Sequence, residues 1–182
     1  MGGCSSGCRP PVVPPSSFPP VAALGFSKGG VLLNQLLMEL AELQVTTSPG
    51  RCCLCARQER RQQGEIEDGE PDAAAHSLLS AICTFLYLDV GMNAPGAYLT
   101  QHAAFAALGQ RCRQHTLQLM LWGTPRQWSD NKRPWVGQEA GTMAATAAAA
   151  GVPLQRQWCG QGWPDGSLEQ HFAVLDEFSV PS

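Results

Sequence analysis

The stretch VAALGFSKGGVLLNQLLMEL, residues 21–40, predicts a β-strand that turns directly into an α-helix. Its first six residues are apolar and of strand length, and the SKGG that follows is a tight turn. From Val31 to Leu43, leucines recur at three- and four-residue spacing and form one apolar helix face. A strand and a helix joined this closely indicate a sheet built from alternating strands and helices.

The turn itself, GFSKG at residues 25–29, matches the pattern G-x-S-x-G. In a nucleophile elbow this pattern places a serine on a sharp strand-to-helix turn, and the flanking glycines relieve the crowding. We therefore predict Ser27 as a nucleophile above the sheet edge, with the backbone N–H of Lys28 as one donor of an oxyanion hole. The alternative is an ordinary strand-to-helix turn that contains a serine.

The rest of the chain continues the alternation. Three further apolar runs of strand length are residues 81–88, 115–122 and 154–158. Three further helices are predicted over residues 98–108, 138–150 and 168–178, with Gly109 and Gly151 as the stops of the first two. This order predicts an α/β fold with a parallel sheet of about four strands and helices on its faces.

The folded domain is expected at residues 21–178, with a disordered tail before it and a disordered insertion within it. Residues 1–20 are rich in Pro, Ser, Gly and Cys with one charge and predict a disordered tail. This tail also matches the acylation pattern M-G-x-x-x-[ST], with Gly2 as acceptor and Cys4 available for palmitate; the alternative is an unmodified tail. Residues 46–75 are polar and turn-rich and predict an exposed, disordered insertion.

Composition narrows the class of function. The 182 residues suit one domain, and 44% of them are hydrophobic and 15% charged. A net charge of −3 lacks the basic footprint of a nucleic-acid-binding protein, so we expect no nucleic-acid partner. No apolar run approaches the roughly 18 residues that a membrane span needs, so we expect no transmembrane segment. The eight cysteines lack metal-ligand spacing, and we expect neither a metal nor a cofactor.

A serine nucleophile needs a general base, and in α/β-hydrolases the chain order is serine, acid, histidine. His171 follows the last predicted strand at the entrance of the last helix, where the base belongs; the alternative is a surface histidine. The other histidines are less well placed. His76 lies in a predicted loop, His102 inside a predicted helix, and His115 at the amino-terminal end of a strand, which is the wrong edge of the sheet.

Two residues compete for the role of the acid. Asp89 ends the second predicted strand, and Asp130 lies in the loop after the third. Counting strands from the turn favours Asp130, whereas a position at the carboxyl tip of a strand favours Asp89. Each also has a structural alternative, since Asp130 could pair with Lys132 or Arg133 and Asp89 could cap a turn. The sequence leaves this choice open.

Four segments carry a family resemblance: GFSKGGVLLNQLLMEL, then YLD-x-G, TP-x-Q-x-x-D-x-x-RPWVG-x-E, and E-x-HF-x-V-x-x-F. Together they resemble the mitochondrial protein family named after human chromosome two open reading frame sixty-nine. The resemblance covers residues 21–178 apart from 46–75. It implies an α/β-hydrolase-like fold with a serine-lipase-type elbow. It also implies a mitochondrial location, although no transit peptide is visible; the alternatives are a cytoplasmic or a lipid-anchored protein.

The resemblance also assigns residues. Ser27 falls on the family's nucleophile, His171 on its late histidine, and both Asp89 and Asp130 on acidic positions. Met92 stands near the place where the family has a histidine. Family members are longer, so the chain is expected to correspond to their C-terminal half, with the sheet's N-terminal strands missing.

These observations lead to two functional expectations. The first is a serine-hydrolase-like protein of the esterase or lipase type that acts on a small ester, thioester or lipid, in a truncated form that is either active or inactive. The second is a non-catalytic pseudo-hydrolase that binds a protein partner in mitochondria.

Overall fold

The computed structural model describes residues 19–47, 73–164 and 166–178. The acylation residues Gly2 and Cys4, the predicted tail up to residue 18, and the predicted insertion between residues 48 and 72 lie outside this part of the chain.

Four strands form one parallel sheet: β1 (Val21–Phe26), β2 (Ile82–Leu88), β3 (Gln118–Gly123) and β4 (Leu154–Trp158). Their order in the sheet is β1-β2-β3-β4. The last residue of β1, Phe26, lies beside Leu88, and Leu88 lies beside Trp122 of β3. All carboxyl ends therefore meet at one edge, and the predicted α/β fold with four parallel strands is confirmed.

The helices connect and cover these strands. They are α1 (Gly30–Thr47), α2 (Ala73–Ala81), α3 (His102–Arg111), α4 (Pro125–Trp128), α5 (Pro134–Ala150) and α6 (Leu168–Glu177), and a 3-10 turn at Ser27–Gly29 precedes α1. A proline begins α5, and Gly151 ends it in the left-handed conformation with φ 73°. Ser167 caps α6 by accepting a hydrogen bond from Gln170 N. None of the helices in the described ranges combines the length and apolar character needed to cross a bilayer.

The two faces of the sheet are covered differently. The larger core lies on the face toward which Phe85, Tyr87, Leu119 and Leu121 point, and all four side chains are fully buried. Helices α1, α3 and α5 pack on this face through Leu37, Leu40, Phe105, Leu108, Met143 and Ala147. A smaller cluster of Leu88, Cys159 and Val174 lies on the opposite face, where it packs against Phe26, Trp122 and Phe178. This second face carries α6 close to the carboxyl edge of the sheet.

Some predicted boundaries are wrong. Helix α3 begins four residues later than expected, at His102, and continues through Gly109 to Arg111. A Cβ atom at Gly109 would collide with the carbonyl oxygen of Ala150, so this glycine permits α3 and α5 to approach each other and does not end the helix. His115 lies before β3, which begins at Gln118, and His76 lies within α2 instead of a loop. Thr46 and Thr47, placed in the insertion, belong to α1.

Candidate functional site

Ser27 stands between β1 and α1 in a strained backbone conformation. Its φ is 55°, in the left-handed region that residues other than glycine rarely adopt, at a cost of about 1–2 kcal/mol. A Cβ atom at Gly25 would lie 2.7 Å from the carbonyl oxygen of Gly29, which shows how tightly the chain folds back behind the serine. One at Gly30 would collide with Val90, whereas one at Gly29 would meet nothing within 4 Å. Glycine is therefore required at positions 25 and 30, and the expectation for Gly29 is wrong.

Asp89 occupies the equivalent position after β2. Because Phe26 pairs with Leu88, the residues that follow them, Ser27 and Asp89, leave adjacent strands at the same level. Asp89 also has a positive φ, 42°, and its side chain is completely buried. Its backbone N–H donates to Trp122 O at 2.6 Å.

The Asp89 carboxylate joins two other parts of the carboxyl edge. Its Oδ1 accepts a hydrogen bond from the backbone N–H of Thr124, just after β3, at 2.7 Å. Its Oδ2 lies 2.5 Å from His171 Nδ1, across 82 residues of sequence. A carboxylate only accepts hydrogen bonds, so Nδ1–H of His171 donates and Nε2 is left to take up a further proton.

His171 lies in α6 and is 8% exposed. Its imidazole stacks on the ring of Phe26, with centroids 4.5 Å apart and planes 23° from parallel. Phe172 packs at a tilt against both rings, with centroids 5.4 Å from His171 and 5.9 Å from Phe26. Since Phe26 immediately precedes Ser27, the stack holds the imidazole against the residue next to the serine.

Asp130 is placed differently from Asp89. It lies between α4 and α5, partly exposed, and accepts hydrogen bonds from Lys132 N and Arg133 Nε, both at 2.8 Å. The Arg133 hydrogen bond holds the pKa of the Asp130 carboxyl below its usual value. Its side-chain partners are thus local, and the structure brings Asp89, not Asp130, to His171.

The remaining predicted residues lie apart from this pair. Lys28 is exposed in the 3-10 turn after Ser27. His76, His102 and His115 lie in α2, at the start of α3 and before β3, and none of them contacts Asp89 through a hydrogen bond. Within the described ranges, no group of three or more His, Cys, Asp or Glu side chains is arranged to hold a metal ion.

Cys159, just after β4, is a nucleophilic residue type close to the site. It is 1% exposed, and burial together with the Glu177 carboxylate raises the pKa of its thiol to about 12. A thiol in this state carries almost no thiolate at neutral pH, so Cys159 is an apolar core residue and a poor nucleophile.

The RPWVG-x-E segment braces the chain that follows Asp89. Glu139 accepts hydrogen bonds from the backbone N–H groups of Gly96 at 2.8 Å and Tyr98 at 3.2 Å. Trp135 Nε1 donates to the carbonyl of Met92 at 3.2 Å. These contacts tie α5 to the long connection between β2 and α3, so the segment has a structural role in fixing that connection.

Two residues at the site, Phe26 and Gln170, are not among those predicted from the sequence. Phe26 occupies the variable position before Ser27 and stacks on the histidine. Gln170, beside His171, is fully buried. The available signal was positional, because Gln170 and His171 occupy the same α6 face as the buried Val174, where a polar residue requires a hydrogen-bond partner.

In a comparison with known families, the family model described as C2orf69 matches residues 20–152. The matched range begins with β1 and includes Ser27, Asp89 and the RPWVG-x-E segment, and it ends before β4 and His171. No curated protein and no solved structure matches the chain.

Proposed function

We propose that this chain, which belongs to the C2orf69 family, is a serine-hydrolase-like protein that cleaves an ester or thioester with Ser27, His171 and Asp89. The observation that carries the proposal is the buried hydrogen bond between His171 Nδ1 and Asp89 Oδ2 beside the strained Ser27 turn. Serine, acid and histidine follow one another along the chain in the order that α/β-hydrolases use.

The strand-turn-helix geometry supports Ser27 as a nucleophile on an elbow. A left-handed serine directly after a parallel strand projects from the carboxyl edge of the sheet, and tight packing at Gly25 and Gly30 maintains the turn. The amino-terminal end of α1 follows the turn, and in this proposal its N–H groups and that of Lys28 stabilise the negative charge that develops on the carbonyl oxygen.

The reaction would run in two steps. Ser27 Oγ attacks the carbonyl carbon while His171 Nε2 takes the hydroxyl proton, and the buried Asp89 carboxylate stabilises the imidazolium. The alcohol or thiol then leaves with the proton from Nε2, and an acyl-enzyme remains. Water repeats the sequence: it gives a proton to Nε2, attacks the acyl carbon, and the proton returns to Ser27 Oγ as the carboxylic acid departs.

The surroundings of His171 favour an uncharged, apolar substrate. Phe26 stacks on the imidazole, and Phe172, which is 49% exposed, borders both rings. Burial of an apolar acyl chain against this surface is favourable, whereas the phenyl rings supply no hydrogen bond to compensate the desolvation of a carboxylate.

The experiment is steady-state hydrolysis of p-nitrophenyl esters with acyl chains of increasing length. We expect kcat/KM to rise with chain length, and S27A to lower kcat by at least about 10³-fold. Phe172→Ser should reduce the preference for long chains and retain hydrolysis of the acetate. Equal rates for the wild type and S27A would refute the proposal.

A non-catalytic binding module in mitochondria is the second candidate, and β1 favours it. Among the described strands β1 has one neighbour, β2, and its Leu24 side chain is 49% exposed. An exposed apolar edge of this kind is suited to pairing with another chain. This function predicts no hydrolysis of any ester by the wild type.

A further inference from the structure

Gln170, the residue before His171, is completely buried, and its amide connects three separate backbone groups. Oε1 accepts hydrogen bonds from the backbone N–H of Arg126 at 2.9 Å and from that of Gly166 at 3.2 Å. Nε2 donates to the carbonyl of Gly160 at 3.1 Å. A buried amide with partners on both of its ends fixes the relative position of everything it touches.

The partners of Gln170 belong to the two segments that leave the carboxyl edge next to the site. Arg126 lies in α4, which follows β3, whereas Gly160 and Gly166 lie between β4 and α6. Arg126 strengthens the connection, because its guanidinium donates to the carbonyl of Gly166. Gln170 therefore joins the amino-terminal end of α6 to both segments.

Both the N–H and the carbonyl of Gly160 form hydrogen bonds with side chains of α6. Its N–H donates to Glu177 Oε1 at 2.9 Å, and its carbonyl accepts from Gln170. Its φ is 69°, and a Cβ atom there would lie 2.7 Å from Gln170 Cγ. The packing between Gln170 and the segment after β4 is thus close as well as hydrogen-bonded.

His171 depends on this connection because its partner belongs to the sheet. Asp89 follows β2, and the 2.5 Å separation from His171 Nδ1 exists only while α6 keeps its position against the carboxyl edge. Gln170 is one residue away from His171 and makes three of the hydrogen bonds that hold α6 in this position.

We infer that Gln170 is a positioning residue that sets the Asp89–His171 hydrogen bond by fixing α6 against the segments after β3 and β4. Its catalytic consequence rests on the proposed function, whereas its effect on the hydrogen bond does not. The loss of the amide should let α6 shift, and displacement of a catalytic group by about 1 Å can cost about 10²-fold in rate.

The first measurement is the downfield ¹H NMR resonance of the His171 imidazole N–H that is bonded to Asp89, assigned by its loss in D89N. We expect Q170A to remove this resonance or broaden it through exchange with water. Q170E retains oxygen acceptors for the N–H groups of Arg126 and Gly166, but an ionised glutamate has no N–H to donate to the carbonyl of Gly160, so it should keep the resonance with a shortened exchange lifetime.

The matched control is Met143→Ala, which removes a fully buried side chain from the opposite face of the sheet. It lowers global stability without touching α6, so its His171 resonance should equal that of the wild type. A second measurement is ester hydrolysis, in which Q170A should lower kcat by about 10- to 100-fold with KM within about twofold.

The outcomes separate this inference from the proposed function. If the wild type hydrolyses no ester but Q170A still loses the His171 resonance, the proposed function fails and the positioning role stands. A wild-type resonance and exchange lifetime in Q170A overturn the inference, whatever the activity. Should Q170A fail to fold, Q170E decides alone, and an exchange lifetime equal to that of the wild type overturns the inference.

Discussion

Asp89 directly follows β2, whereas Asp130 follows β3 and the short helix α4, and the two carboxylates differ in burial and in the distance along the chain to their partners. Asp89 is completely buried, and its oxygens bind Thr124 and His171, which lie 35 and 82 residues away. Asp130 is partly exposed and binds residues two and three positions along the chain. A carboxylate fixed by distant parts of the fold can orient a histidine, whereas one with local partners stabilises a loop.

The largest expected effect is the difference in stability loss between two single variants, each of which removes one of these carboxylates. Asp89→Ala leaves the Thr124 N–H and the His171 imidazole without a partner in a buried site, so we expect a loss of about 3 kcal/mol in the free energy of unfolding. Asp130→Ala should cost no more than about 0.5–1 kcal/mol. Urea denaturation followed by circular dichroism measures both, and equal losses would erase the distinction.

At the turn around Ser27, two glycines differ in the space that is available for an added Cβ atom. A Cβ atom at Gly25 would lie 2.7 Å from backbone atoms that cannot move away independently, so Gly25→Ala should destabilise the protein by about 2 kcal/mol. A Cβ atom at Gly29 has open space, so Gly29→Ala should change stability by less than about 0.5 kcal/mol. Thermal denaturation of both variants checks this, and a loss at Gly29 as large as that at Gly25 would contradict the geometry of the turn.

The smallest expected effect is the pH dependence contributed by Asp130. Its folded pKa is lowered by Arg133, so its stabilisation is complete above the unfolded value of about 3.9 and is lost as the pH falls through the lowered folded value. The difference in unfolding free energy between the wild type and Asp130→Asn should therefore shrink between about pH 5 and pH 2, by no more than about 0.5 kcal/mol. Urea titrations at several pH values measure it, and a difference that grows toward low pH would show that the sign is wrong.

The parallel sheet could be predicted from the sequence because both faces of β2 and β3 are covered. Runs such as AICTFLYL are apolar throughout, and this marks buried parallel strands before any contact is known. The ends of the helices were harder to predict. A glycine after a helical pattern, such as Gly109, is typical of a helix end. In the structure Gly109 instead permits close packing against Ala150. These two residues are 41 positions apart, so the contact cannot be recognised from the local sequence.

The choice between the two acids also depends on contacts between residues that are far apart in the sequence. Asp89 and Asp130 each follow a strand, and the feature that distinguishes them is the position of α6, which depends on the whole sheet. Ser27 and His171 could be proposed as candidates because their residue types and chain order are distinctive. Gln170 has no motif, and its place on the α6 face that includes Val174 is the one signal for it in the sequence.

The most direct test of the account is the rate at which a fluorophosphonate probe labels the wild type, S27A, Asp89→Asn and Asp130→Asn. We predict labelling of the wild type and no labelling of S27A. Asp89→Asn should be labelled at least about 10³-fold more slowly and Asp130→Asn within about twofold of the wild-type rate. Labelling of S27A at the wild-type rate, or a greater loss in Asp130→Asn than in Asp89→Asn, would contradict the assignment of Ser27, His171 and Asp89.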